Sequence, residues 1–381
     1  MRIGLAYNQR PSAGSSERHT AGATDSRPSA AGDASSPVDA LQDADDPPST
    51  ADDAFVEWDE PETIEAVARA LSVFGEVVRL EAVGDFPQRL ARARVDFLFN
   101  MAEGLAGPNR ESHVPAMAEF FGVPYLASDP LTLALALHKG RAKEVFLARG
   151  IPTAPFVLVE SGDDIPRLDA LTYPAFLKPV WEGSSKGIAE ANYVADAAAA
   201  RHRAREILAA YRQPVLAEQY LPGDEFTVAV LGNGTEARAL PIIRYRFETL
   251  PEGALPIMGY EAKWIWDDPT QPLEVLECPA RVPTALSLRI ADTALAAVRA
   301  LGCRDWARVD IRLDANGVPN VVEVNPLPGV IPNPAENSCF PCAARAAGMS
   351  YDGLLQKVTQ IAWRRLTGQE LLPLPIAEAA A

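Results

Sequence analysis

The chain has 381 residues, more than one hydrophobic core usually organises, so two or three compact domains are expected. Its composition, 48% hydrophobic and 23% charged, is that of an ordinary soluble globular protein. A formal charge of -16 leaves no excess of Lys and Arg to displace counterions from phosphates, so neither nucleic acid nor an anionic membrane surface is an expected partner.

That charge is unevenly spread. Between Pro11 and Glu60 twelve acids stand against two bases, Arg18 and Arg27, so this stretch supplies -10 of the total. The N-terminus lacks the apolar core and small-residue cleavage site of a secretory signal. No run approaches the roughly 18 apolar residues of a membrane span, and a cytoplasmic location is expected. Of the four cysteines only Cys339 and Cys342 have motif-like spacing. Zinc would need a second pair or nearby histidines, so a pair of small apolar side chains opening a helix is the better reading.

In chain order, Ile3 to Tyr7 reads as a first strand. From about residue 10 to 55 the chain is Ala, Ser, Asp, Pro and Gly with almost no large apolar residues, which predicts a mobile acidic insertion. Asp59-Glu60-Pro61 predicts a helix start, followed by Ile64, Val67, Leu71 and Phe74 at helical spacing. Strands over Glu76 to Leu80 and Val95 to Asn100, a helix over Val114 to Phe121 and a strand over Val123 to Leu126 complete a small doubly wound α/β domain, 1–127. One long helix is predicted over Leu131 to Arg149. Strands follow at Phe156 to Val159 and Ala175 to Pro179, then an Ala-rich helix over Asp196 to Tyr211 and a strand over Val215 to Gln219. These form a compact middle domain, 128–220. A third domain, 221–370, holds strands at Glu225 to Leu231 and Ala239 to Ile243, a long loop from about Arg246 to Pro283, a helix, a hairpin and a final helical region. A tail, 371–381, closes the chain.

The hairpin carries the clearest chemistry. Trp306, Arg308, Asp310 and Arg312 alternate onto one face, as do Glu323 and Asn325 on the return strand. With Asn316-Gly317 as the central turn residues, Asp310 faces Glu323 and Arg308 faces Asn325. Carboxylates facing across strands repel unless a cation lies between them, and hard oxygen ligands suit magnesium, or manganese. The competing reading is a solvated face on which Arg308 neutralises the acids.

A phosphate cradle is sought elsewhere, because the chain has neither a P-loop nor a Rossmann glycine fingerprint. Gly183-Ser184-Ser185-Lys186-Gly187 offers backbone N–H groups and two hydroxyls, although a plain turn reads the same way. Lys178 closes an apolar strand and is either aimed at a ligand or snorkels at an edge.

Together these elements resemble the ATP-grasp superfamily, and within it the D-alanine-D-alanine ligases, over most of residues 95 to 365. The resemblance rests on the segments Phe176 to Ile188, Leu216 to Val228, Ala307 to Ile311 and Val322 to Pro326. It implies a three-domain ATP-grasp fold in which ATP phosphorylates one substrate's carboxylate and the second substrate's amine attacks the acyl phosphate. It also implies roles for residues. Lys139 and Lys178 bind phosphate, and the loop with Glu182, Ser184 and Ser185 closes over it. Glu218 and the backbone of Tyr220 and Leu221 clamp adenine, and Glu225 contacts ribose. Asp310, Glu323 and Asn325 hold magnesium, while Arg308 stabilises the transferring phosphoryl group. The loop around Lys263 is a lid, and Ser338 meets the second substrate's carboxylate.

Three departures bear on substrate. Trp264 stands where the family has Tyr, which removes a hydroxyl from the substrate-orienting network. The family's N-terminal substrate-binding Glu is not evident, with Glu17 as a displaced candidate. Asn100 to Gly104 and Asn109 to Glu111 replace a histidine-bearing glycine-rich loop. The expected function is therefore an ATP-dependent carboxylate-amine ligase acting on small amino-acid-like substrates, with altered substrate choice. The alternatives are a true D-alanine-D-alanine ligase of peptidoglycan synthesis or a non-catalytic ATP-binding protein. A homodimer is what the resemblance implies for assembly.

Overall fold

The computed structural model describes residues 1–11, 55–267 and 273–374, with only the backbone of Trp264. Most of the expected acidic insertion, Glu17 with it, lies outside the described residues.

Three sheets follow one another along the chain. The first is parallel, in the order β2 (Glu76–Glu81), β1 (Arg2–Tyr7), β3 (Phe97–Asn100). Helices α1 (Pro61–Leu71), α2 (Phe86–Ala93) and α3 (His113–Phe120) accompany it. Pro61 opens α1 where its missing N–H costs nothing, and Ile64, Val67 and Leu71 turn into the core. The strand predicted over Val123 to Leu126 is reduced to one bridge, Leu98 to Tyr125.

The second sheet is antiparallel, in the order β4 (Phe156–Val159), β7 (Val215–Gln219), β5 (Ala175–Pro179), β6 (Tyr193–Val194). Before it come two helices where one was predicted, α4 (Pro130–Leu137) and α5 (Lys139–Ala148). His138 leaves helical geometry at φ −82° and ψ 84°, and its ring accepts the Arg141 N–H as a cap. The break sets Lys139 at a helix N-terminus. Helix α6 (Ala197–Tyr211) starts on the cap Asp196, whose carboxylate accepts the Ala199 N–H.

In the third sheet β8 (Glu225–Leu231) pairs with β12 (Trp306–Leu313), which pairs with β13 (Pro319–Asn325). Strands β9 (Arg238–Ala239), β10 (Ile243–Tyr245) and β11 (Leu276–Glu277) extend the other edge. The strand predicted over Ala239 to Ile243 is thus two short pieces, split around Pro241, which lacks an N–H for the ladder. The loop predicted from Arg246 to Pro283 contains a helical turn, α7 (Tyr260–Trp264), as well as β11. Helix α8 (Thr284–Leu301) covers one face of the sheet, and α9 (Cys339–Ala346) and α10 (Tyr351–Thr367) follow. The core of the first sheet runs without interruption into Trp306, Phe340 and Leu354 of this last part of the chain. At that junction Asp305, 0% exposed, accepts from Arg365, the Ala127 N–H and Asn233.

Candidate active site

One cavity of about 470 Å³ runs between the second and third sheets and reaches the first. That is the size of an ordinary small-ligand site.

Its floor is the hairpin. Asp310 faces Glu323 and Arg308 faces Asn325, as alternation predicted, but by another route. Leu313 pairs with Pro319 around a loop closed by Asp314, which accepts the N–H groups of Asn316 and Val318. The ladder then shifts by one residue between Asp310 and Ile311, leaving Val322 as the extra residue, and this bulge restores the register at the acids. Arg308 donates to both oxygens of Asp310, at 3.1 and 3.0 Å, and lies 3.7 Å from Glu323. Thr227 on β8 donates to Asp310 at 2.6 Å. Burial raises the Asp310 carboxyl, and the Glu323 charge adds to that against the pull of Arg308. Burial would raise Glu323 too, yet Lys139, Lys178 and Arg308 together hold it down at about 2.

Lysines form the opposite wall. Lys139 donates to the Glu182 carbonyl at 2.6 Å and lies 3.4 Å from Glu323. Lys178 on β5 and Lys143 on α5 meet Glu218 on β7, at 2.6 and 2.8 Å. The roof is the glycine loop. Ser184 and Ser185 both take left-handed backbone, φ +48° and +64°, a conformation that turns successive N–H groups toward one side. A Cβ at Gly183 would meet Glu57 Oε1, so a side chain there would push the Glu57 carboxylate from its place against Arg110. The Glu182 carboxylate holds Gln213 and Lys186. Ser185 Oγ donates to the Met258 carbonyl at 2.8 Å, and the Tyr260 N–H to the Ile188 carbonyl at 2.8 Å, so the loop is bonded to the lid segment. Lys263, on α7 of that lid, lines the same cavity, and burial followed by the Arg308 charge lowers its ammonium.

At the far end of β7 the Tyr220 N–H is bonded to Pro174, and the Leu221 carbonyl accepts from Arg312 at 2.6 Å. The Leu221 N–H enters no hydrogen bond among the described residues, which leaves a backbone donor at the strand end that lines the cavity. Glu225 is paired with Arg312 at 2.7 Å, and burial raises its carboxyl. Ser338 stands at the N-cap position of α9, its side chain making no capping bond, and is 6% exposed. Its hydroxyl accepts the Ile331 N–H at 3.2 Å.

Most of these positions, though not Glu57, Arg110, Lys139 or Lys143, belong to a segment that matches a family model described as the C-terminus of D-ala D-ala ligase, over residues 145–360. Among curated proteins the chain is 36% identical over 251 residues to a D-alanine--D-alanine ligase of Ralstonia nicotianae, covering 65% of this chain and 70% of that one. It is 38% identical to one of Bordetella pertussis, covering 70% and 78%. The chain belongs to the D-alanine-D-alanine ligase family.

It is therefore an ATP-grasp, ADP-forming carbon-nitrogen ligase. The ligase is also 36% identical to an uncharacterized protein, y4sG, of Sinorhizobium fredii, over 75% of this chain and 80% of that one. Its fold matches a D-alanine--D-alanine ligase of Bacillus anthracis complexed with ATP, at TM-score 0.64 and 21% identity over 96% of this chain and 98% of that one. It also matches the VanG D-Ala:D-Ser ligase of Enterococcus faecalis, at TM-score 0.63 and 20% identity over 95% and 99%.

The structure of the ligase brings to the cavity every site residue predicted from the sequence whose side chain is described. The Trp264 side chain lies outside the described residues. Sequence reasoning passed over several others. Arg312 was placed on the correct face and given no role, yet its guanidinium holds Leu221, Glu225, Tyr220 and the Pro256 carbonyl. Lys143 stands one helical turn after Lys139, a spacing that signalled it. Glu57, Glu103 and Glu111 meet at the end of the cavity nearest the first sheet. Cys339, read as a small apolar side chain, also lines the cavity and contacts the Tyr245 hydroxyl at 3.3 Å.

Proposed function

We propose that this ligase activates a carboxylate as its acyl phosphate, using ATP, and joins it to the amine of a small amino-acid-like substrate. What carries the reading is the convergence, on one cavity, of the Asp310, Glu323 and Asn325 floor with the Lys139 and Lys178 wall and the left-handed Ser184-Ser185 roof.

The oxygen set fits a small hard divalent cation. Asp310 and Glu323 face each other, and each is held away from its ordinary titration by its surroundings. Among the described residues no three His, Cys, Asp or Glu side chains cluster to hold a metal. Two carboxylates and an amide are what magnesium takes when phosphate oxygens and water complete its shell. Bound there, it would neutralise charge on the phosphates and polarise the group in transfer.

The remaining work falls to the chain. The Leu221 N–H is a backbone donor for the acceptor edge of adenine, and Arg312, bonded to the Leu221 carbonyl, fixes the strand end that presents it. Lys139 and Lys178 place positive charge along the phosphates. Ser184 and Ser185 aim N–H groups at them from above. Arg308, held in orientation by Asp310, faces the phosphoryl group as charge develops, and electrostatic clamps of this kind dominate phosphoryl transfer. The lid carrying Lys263 excludes the water that would hydrolyse an acyl phosphate. Ser338, at the N-terminus of α9, receives the second substrate's carboxylate. The acidic end formed by Glu57, Glu103 and Glu111, and Trp264 in the lid, support a substrate other than two D-alanines.

ADP release measured against panels of D- and L-amino acids tests this reading. Release that depends on D-alanine alone would restore the peptidoglycan role, and no release with any amine would sink the ligase reading. Asp310→Asn and Glu323→Gln are each expected to abolish release.

A further inference from the structure

The cysteines are nucleophiles that the ligase reading leaves unused, and three of the four lie together. Cys278, Cys339 and Cys342 are all half-buried and pack against one hydrophobic core. Cys278 directly follows β11, at the end of the segment that carries α7. Cys339 and Cys342 stand one turn apart on α9. Among the described residues no three such side chains are arranged to hold a metal, so the group is not a metal cage.

Their partners set them apart. Cys339 Sγ meets the Tyr245 hydroxyl at 3.3 Å, and burial raises its thiol. Cys278 and Cys342 share a side-chain hydrogen bond that joins the end of β11 to α9. In that bond Cys278 keeps its proton, and the bond and then burial raise its thiol. The same bond, with the nearby Arg345 charge and against burial, lowers Cys342 to about 7. Near neutral pH about half of Cys342 is thiolate, the form that attacks a disulfide. Cys303, the fourth cysteine, is 8% exposed and pushed up to about 12 by burial, which makes it an internal control.

We propose that Cys342 and Cys278 are a redox modification site, closing a reversible disulfide when the chain meets a small oxidised disulfide of the glutathione type. The Cys342 thiolate attacks one sulfur of that reagent, whose S–S bond breaks, and one small thiolate leaves. Cys278 then gives up its proton and attacks Cys342 Sγ in the mixed disulfide, and the second small thiolate leaves. Two protein thiols are oxidised and one reagent disulfide is reduced to two thiols, which take up the two protons released. In a reducing compartment such bonds are transient and respond to oxidant.

Closing the bond brings the sulfurs to about 2 Å, shorter than any hydrogen bond to sulfur. Helix α9 must then shift toward the end of β11. Ser338 shifts with it, because its carbonyl accepts the Cys342 N–H at 3.0 Å. On the ligase reading, on which this consequence alone rests, the closed form binds the second substrate poorly.

The reduced full chain, incubated with oxidised glutathione, alkylated and mapped by mass spectrometry without reduction, tests the bond directly. A peptide pair joined through Cys278 and Cys342 is expected, with Cys303 and Cys339 alkylated, and dithiothreitol should release it. Cys278→Ser should instead retain glutathione on Cys342, in a yield at least about 10-fold above that on Cys303. A Cys339-Cys342 bridge, a bond between two chains, or no bond in a large excess of oxidised glutathione would overturn the proposal. The bridged chain should also need at least about 10-fold more amine substrate for half-maximal ADP release. Dithiothreitol should restore the reduced value, and Cys278→Ser should not respond to the oxidant. Unchanged release by the bridged chain would overturn the consequence for Ser338. No release by the reduced chain with any amine would overturn the ligase reading, and the mapped bond would stand.

Discussion

Lys178 Nζ lies 2.6 Å from Glu218 Oε1 across two adjacent antiparallel strands, and the other oxygen of the same carboxylate lies 2.8 Å from Lys143. Burial alone would raise Glu218, but the two ammonium groups overcome it and hold the carboxyl at about 2. The pair is not symmetric. Lys178 ends raised, its burial outweighed by Glu218, whereas burial and the neighbouring Lys178 charge leave Lys143 lowered.

A folded-state carboxyl below its ordinary value of 4.5 stabilises the fold above that pH and ceases to do so as pH falls toward 2. The shift corresponds to about 3 kcal/mol. Glu218→Gln is therefore expected to melt well below the wild type at pH 7, with the gap narrowing steadily below about pH 4.5 as the wild-type carboxyl protonates. Thermal melts of both proteins across that range decide it, and a gap independent of pH would count against the assignment.

Thr227 donates to Asp310 Oδ1 at 2.6 Å from the neighbouring strand and so holds the carboxylate in the orientation in which Arg308 meets both its oxygens. Thr227→Val removes that donor at nearly constant volume. ADP formation should fall by about 10-fold, the consequence of a lost hydrogen bond to a charged group, while Asp310→Asn should abolish it through loss of the charge itself. Equal effects of the two substitutions would show that Thr227 does more than orient its neighbour.

Arg312 makes four hydrogen bonds and lies over the Tyr220 ring, its guanidinium carbon 4.9 Å from the centroid. A lysine cannot reproduce that fork. Arg312→Lys should raise the KM for ATP by about 10-fold or more through the loosened Tyr220-Leu221 edge, a cost of about 1.4 kcal/mol or more, with the KM for amino acids little changed. Steady-state kinetics with each substrate varied in turn separates the two.

Asp305 is fully buried and accepts hydrogen bonds from Arg365 and from the backbone at Ala127, joining the first sheet's loops to α10. Asp305→Ala leaves the Arg365 guanidinium without its counter-charge and should cost about 3–5 kcal/mol. Loss of less than about 1 kcal/mol in denaturant unfolding would mean that the pair is as weak as an exposed one.

What the sequence disclosed followed range. Alternation over Trp306 to Arg312 and over Val321 to Asn325 put the right side chains on one face, because period two is a local property. The bulge at Val322 was invisible, since the local turn signal and the shifted ladder lead to the same pairing at Asp310. The break at His138 was missed because no Pro marks it and Gly140, two residues on, is a residue that a helix interior tolerates. Arg312 reaches Leu221, 91 residues away, and Glu57 reaches Arg110, 53 away. No period reports such meetings. Glu103 and Glu111 were noticed only as a departure from the family's loop. That they share a cavity end with Glu57 depends on how the chain enters α1, where the Trp58 indole donates to the Gly104 carbonyl at 3.2 Å.

Ser185 and Tyr260 stitch the glycine loop to the segment of α7, so on the proposed ligase reading the chamber would have a single door rather than two flaps. Anything reacting behind it is shut in with both partners present, and traffic in either direction waits on the same hinge. For an acyl phosphate, whose lifetime in water is its weakness, a shared door ties the timing of exit to the completion of the bond.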